Sequence, residues 1–169
     1  MILAALIVAA FLVVPLFRGP SGGPAGPAAL VGQAAPVFTL QDDRGRTASL
    51  AAYRGKVVVL NLWASWCPPC RAEMPDLERF QAEYAGRGVV VIGVNQGESA
   101  ERASAFATSL RIHFPIWIDK DQQYGRVFAA LGLPTTVVIG RDGKVVKGFD
   151  GALTIDQMRS AVQTLVAVR

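Results

Sequence analysis

The chain has 169 residues, enough for one domain with an appendage and a core that needs no disulfide staples, so its two cysteines are free for chemistry. Net charge is +4, with Lys and Arg scattered singly, which excludes the clustered basic surface of a nucleic-acid or lipid-headgroup site. Hydrophobic residues make up 51% and mean hydropathy is +0.34, an excess concentrated in the first seventeen residues and in several Val/Ile runs.

Met1–Phe17 carries no charged side chain, and Ile2–Phe17 is sixteen residues of Ile, Leu, Ala, Val and Phe broken only by Pro15. The run lacks the polar face of a core helix and is slightly shorter than the ~20 residues that cross a bilayer comfortably. Residues 1–17 are therefore expected to form a transmembrane anchor, uncleaved because no small-x-small site directly follows. Arg18 comes after the run and not before it, so charge alone does not orient the span. Residues 18–34, almost wholly Gly, Pro and Ala, are expected to be a flexible tether, with the folded domain at 35–169.

Val37–Leu40 and Thr47–Leu50 alternate around Asp42-Asp43-Arg44-Gly45 and read as a hairpin. Lys56–Trp63 has the unbroken apolar character of a central strand. After Cys70, Met74, Leu77, Phe80 and Tyr84 fall at helical spacing, and Gly86 and Gly88 close that helix. Val89–Val94 reads as a second buried strand and Ser99–Leu110 as a helix capped by Ser99. Phe114–Ile118 is a short strand, and a helix is expected over Gln122–Leu131, closed by Gly132. Leu133–Ile139 leads into a strand, Arg141-Asp142-Gly143-Lys144 turns it, and Lys144–Phe149 returns. Thr154 caps a last amphipathic helix through Ile155, Met158, Val162, Leu165 and Val166. Strands alternating with helices imply an α/β fold with a parallel sheet covered on both faces, to which the terminal hairpin adds an antiparallel edge.

Cys67 and Cys70 are the only cysteines, in Trp66-Cys67-Pro68-Pro69-Cys70, directly after the first central strand. Their spacing admits a zinc site, a structural disulfide or a redox pair. Zinc needs about four ligands, and the chain adds only His113, about forty residues away. A two-residue loop stabilises little by closure. The redox pair is preferred because a sulfur at the start of a helix faces unpaired N–H groups and the positive end of the dipole. Pro68 suits the first turn, and Pro69 stiffens the loop. Cys67 is then the exposed attacking thiol, and Cys70, one turn deeper, resolves the mixed disulfide.

The stretch Asn61-Leu62-Trp63-Ala64-Ser65-Trp66-Cys67-Pro68-Pro69-Cys70-Arg71-Ala72-Glu73-Met74-Pro75 resembles the active-site segment of thioredoxin-fold proteins. It is most similar to the membrane-anchored, extracytoplasmic branch that includes TlpA, ResA and the cytochrome c maturation thioredoxins. The resemblance covers about residues 35–169, including a helix-strand insertion over Val94–Ile118. It implies a mixed sheet, Trp66 packed beside the disulfide, a kink at Pro75, and a cis Pro134 facing the site with Leu133 offering backbone to a peptide. It also implies that Glu73, three residues after Cys70, is a functional acid, standing in for the buried Asp that thioredoxins carry where this chain has Asn61. The competing reading of Glu73 is a solvated carboxylate paired with Arg71 or Arg79.

By this resemblance the chain is expected to be a membrane-anchored thiol-disulfide oxidoreductase with its domain on the extracytoplasmic side. It would reduce protein disulfides through the Cys67–Cys70 dithiol without a further cofactor or metal, re-supplied by a thiol-donating membrane partner. Apocytochrome c and copper-site cysteines are the candidate substrates. A thiol peroxidase of the same fold would need a Thr where Ala64 stands. A copper chaperone would need wider cysteine spacing and a nearby His.

Overall fold

The computed structural model describes residues 26–167. The expected anchor at 1–17 and the first part of the tether lie outside them, and among the described residues no helix is long and apolar enough to cross a membrane.

Seven strands form one sheet in the order β2-β1-β5-β4-β3-β6-β7. They are β1 (Leu40–Asp42), β2 (Thr47–Ala48), β3 (Val57–Trp63), β4 (Val89–Gln96), β5 (Ile116–Asp119), β6 (Thr135–Ile139) and β7 (Val145–Asp150). The helices are α1 (Pro68–Tyr84), α2 (Ala100–Ser109), α3 (Gln123–Val127) and α4 (Ile155–Ala167). β3, β4 and β5 are parallel, joined through α1 and α2. β6 lies beside β3 but antiparallel to it, so the sheet is mixed through its centre and not only at the terminal hairpin. The N-terminal hairpin supplies the opposite edge, pairing antiparallel with β5.

Alternation along β3 sorts the core. Val57, Val59 and Trp63 face α1, α2 and α4, whereas Val58, Leu60 and Leu62 face Tyr124, Phe128 and Leu50. All seven β3 residues are buried, as expected of a strand covered on both faces. The caps fall where the sequence places them: Ser99 accepts from Arg102 N–H (3.4 Å), and Thr154 and Gln157 bond reciprocally across the first turn of α4.

Three segments depart from expectation. The tether was expected to run free to residue 34, but Gly26–Leu30 forms a 3-10 turn against β7, and Ala34 bridges Lys144. The ordered domain thus begins before residue 35. A β-carbon on Gly148 of β7 would sit 2.5 Å from the Pro27 carbonyl carbon and 2.7 Å from Ala28 N, so the turn seats on a strand stripped of side chain there. Gly148→Ala is expected to lift the turn and cost about 1–3 kcal/mol. Urea unfolding checks this, and a loss under about 0.5 kcal/mol would mean that the turn contributes no packing.

The helix expected over Gln122–Leu131 is only Gln123–Val127. Its start is held by the buried Asp119 carboxylate, which accepts from Gln123 and Tyr124 N–H (both 2.8 Å). It stops because Ala129 turns left-handed (φ 51°) and the Asp150 carboxylate captures Leu131 N–H (3.2 Å). Finally, the first hairpin strand starts at Leu40 and not at Val37, and the second gives way after Ala48 to a 3-10 turn, Leu50–Tyr53, capped by Ser49.

Candidate active site

The leaving ends of β3 and β4 carry the site, where parallel strands expose loops and helix N-termini. Cys67 is the N-cap of α1, and its Sγ accepts from Cys70 N–H (3.3 Å). Pro68 and Pro69 occupy the first turn, where their missing N–H groups cost no helical bond. Cys67 and Cys70 are joined in a disulfide (2.04 Å), so the redox pair is present in its oxidised form.

Cys67 corrects one expectation. It is 2% exposed and Cys70 1%, so the attacking sulfur is covered in this state, within the core cluster on the α1 face of the sheet. The exposed groups are Pro68, Pro69 and Trp66, the last 61% accessible. Trp66, next to Cys67 in the chain, thus leaves most of its surface open to solvent. It forms one wall of a groove of about 330 Å³ whose other walls include Leu133, Gln96, Gln122 and Arg126. The Leu133–Pro134 peptide is cis, and Leu133 is half-buried at the groove, as the resemblance implied. Pro75 lies inside α1 on its exposed side.

Further along the buried side of α1 stands Glu73. Asn61 shares the phase of the β3 residues that face α1, so its amide points at the helix. It is the cross-strand partner of Thr136, and its Nδ2 donates to Thr136 Oγ1 (3.0 Å) and Glu73 Oε2 (3.4 Å). Leu153 N–H donates to Glu73 Oε1 (2.9 Å). Glu73 is 3% exposed, three residues after Cys70 on the buried side of α1. Burial pushes its carboxyl up to about 7 against the hydrogen bonds from Leu153 and Asn61, and the Asp76 charge adds to the rise. The surface reading is overturned: Arg79 pairs with Asp76, and Arg71 lies over the Phe106 ring at 5.3 Å.

A second carboxylate escaped the sequence reading. Glu98, after β4, is buried and accepts from Ser65 N–H (2.7 Å), Ser65 Oγ (2.6 Å) and Asn95 Nδ2 (2.7 Å), and it pairs with Arg102 Nε (2.8 Å). Burial pushes this carboxyl up, but the Asn95 and Ser65 hydrogen bonds and the Arg102 charge prevail and hold it below the usual range. The only sequence signal was a polar Asn95-Gln96-Gly97-Glu98 run at a strand end. A third, Asp119, ties Gln96 Nε2 (2.9 Å) to the start of α3 and so fixes the far side of the groove.

His113 stands before β5, at the entering end of the parallel strands, beside a larger cleft of about 690 Å³. Its backbone N–H and Nδ1 both bond Glu78 (2.8 and 2.9 Å). The topology thus places it at the end of the sheet opposite the cysteines.

The AhpC/TSA family model matches residues 31–147. The chain is 38% identical over 138 residues to the thiol-disulfide oxidoreductase ResA of Geobacillus thermodenitrificans, a match spanning 82% of this chain and 79% of that one. It is 37% identical over 123 residues to ResA of Bacillus subtilis, spanning 73% and 69%. Among solved structures, a thiol:disulfide interchange protein of the thioredoxin family from Chlorobium tepidum matches with a TM-score of 0.71 and 27% identity, over 79% of this chain and 95% of that one. The chain accordingly belongs to the AhpC/TSA family, and within it to the thiol-disulfide oxidoreductases of the ResA type.

Proposed function

We propose that this oxidoreductase works outside the cytoplasm as a membrane-anchored reductant of protein disulfides, such as those of apocytochrome c or of copper-site cysteines. The observation that carries the exchange chemistry is Glu73, buried on α1 three residues after the resolving Cys70. In the reduced enzyme, the Cys67 thiolate, favoured by the α1 N-terminus, attacks one sulfur of the substrate disulfide. A mixed disulfide forms, and the displaced substrate thiolate takes a proton. Cys70 then loses its proton to Glu73, whose raised affinity for protons suits it as an acceptor near neutral pH. The Cys70 thiolate attacks Cys67 Sγ and expels the second substrate sulfur as a thiolate, which takes up a proton, leaving the Cys67–Cys70 disulfide with two electrons passed to substrate. Trp66 and Leu133 offer the walls against which an extended peptide lies.

Turnover in an oxidising compartment needs a thiol donor in the membrane, and the apolar run at 1–17 would keep the domain beside it. The peroxidase reading is disfavoured because Ala64, fully buried, has no hydroxyl to offer the cysteine. Equilibration of the protein with a dithiothreitol series tests the direction. A reduction potential nearer the thioredoxin value of about −270 mV than the oxidant DsbA's of about −120 mV is expected, and one near the latter would reverse the assignment.

A further inference from the structure

Glu98 takes no part in the sulfur chemistry and does not line the groove, yet it is among the most heavily bonded side chains near the site. Its Oε2 accepts from Ser65 N–H and Asn95 Nδ2, each at 2.7 Å, and its Oε1 from Ser65 Oγ at 2.6 Å, with Arg102 Nε at 2.8 Å. Its own N–H donates back to Asn95 Oδ1 (3.3 Å), while Arg102 Nε reaches Ser65 Oγ (3.1 Å). Four donors meet the carboxylate, about as many as its lone pairs take. Asn95 is fully buried and Ser65 is 7% exposed, while the Arg102 side chain covers the cluster from the solvent side, itself 64% exposed.

Three of these bonds, from Ser65 N–H and Oγ to Glu98 and from Arg102 Nε to Ser65 Oγ, hold the residue that precedes Trp66. An indole 61% exposed at the mouth of a groove has little packing of its own to hold it, so the direction in which its Cα–Cβ bond leaves the backbone limits where the ring can lie. The Ser65 N–H and hydroxyl, both bonded to one buried carboxylate, fix that backbone from beneath. A fixed aromatic wall lowers the ordering cost of docking a large partner, whereas a small disulfide gains little from it.

We propose that Glu98 is a positioning residue: by clamping Ser65 it sets the orientation of Trp66, and so governs recognition of protein disulfides while leaving exchange with small disulfides almost untouched. This rests on the reading that protein disulfides are the substrates. Glu98→Gln keeps the size of the side chain and one acceptor but loses the charge and the second acceptor; Glu98→Ala removes the clamp.

The full-length protein in detergent is assayed with insulin as the protein disulfide and oxidised glutathione as the small one. For Glu98→Gln, KM for insulin is expected to rise about 5- to 10-fold with kcat within twofold, and the rate with oxidised glutathione to stay within twofold. Glu98→Ala should go further in the same direction. Trp63 and Trp117 are buried, so the acrylamide-quenchable fluorescence reports Trp66; its anisotropy should fall in Glu98→Gln. Equal slowing of both substrates, or an unchanged KM with unchanged anisotropy, overturns the proposal even if Glu98→Ala fails to fold. Should the wild type leave insulin untouched while reducing oxidised glutathione, the protein-substrate reading falls and the recognition role with it. Anisotropy then decides the clamp alone, and an unchanged value rejects that too.

Discussion

Cys70→Ser is expected to accumulate a covalent complex with a protein disulfide substrate, close to one per chain, whereas Cys67→Ser should lose turnover to the uncatalysed background and trap nothing. The asymmetry follows from where α1 puts the two sulfurs. Cys67 caps the helix, so its thiolate is favoured by the N-terminal amides, and it alone can open a substrate disulfide. Cys70 lies one turn inside, and its task is to attack the mixed disulfide from behind. Non-reducing electrophoresis after mixing with oxidised substrate reads the result as a mass increase reversed by dithiothreitol. Equal trapping by the two variants would reject the assignment of attacking and resolving roles.

Glu73→Gln should flatten the pH dependence of stability of the oxidised protein between about pH 4.5 and 8. In the unfolded chain Glu73 titrates near 4.5, and in the folded protein near 7, so in this window the native state holds the extra proton. Stability then falls as pH rises, because the unfolded state binds fewer protons. The gap of about 2.5 units, at ~1.4 kcal/mol per unit, corresponds to about 3 kcal/mol present below pH 4.5 and lost above pH 7. Gln cannot ionise, so the variant should equal or exceed the wild type in stability at pH 8 and lose that advantage at pH 4.5. Its resolution step should slow, since Cys70 then lacks its proton acceptor. Urea melts of both proteins across the range check this through their difference, which cancels the opposite, acid-side effect of Glu98. A difference independent of pH would mean that Glu73 is ionised throughout and is not the buried acid.

Local rules carried the elements whose signals are short-range. The Val57–Trp63 run, the Ser99 and Thr154 caps and the Arg141–Lys144 turn all form as their residues imply, because each is decided by neighbours within a turn or two. The redox pair was legible for the same reason: two thiols, two prolines and a following helical pattern suffice to put sulfur at a helix N-terminus.

Helical phase put Glu73 on the face of Cys70 but could not bury it, since its partners, Asn61 and Leu153, come from residues 12 and 80 positions away. The Glu98 clamp was invisible because it joins Ser65 across 33 residues and depends on β3 and β4 ending side by side. Gly26–Leu30 looked like linker by composition, yet the bare surface at Gly148 gives it a seat.

By itself, the sequence determined the reaction: one dithiol at the start of a helix, in a chain with no other cysteine. Only the tertiary structure decided which groups surround it. The carboxyl whose proton affinity matters, the covered state of Cys67 and the exposed Trp66 all arise from burial and hydrogen bonds between segments far apart in the chain, which no local pattern encodes.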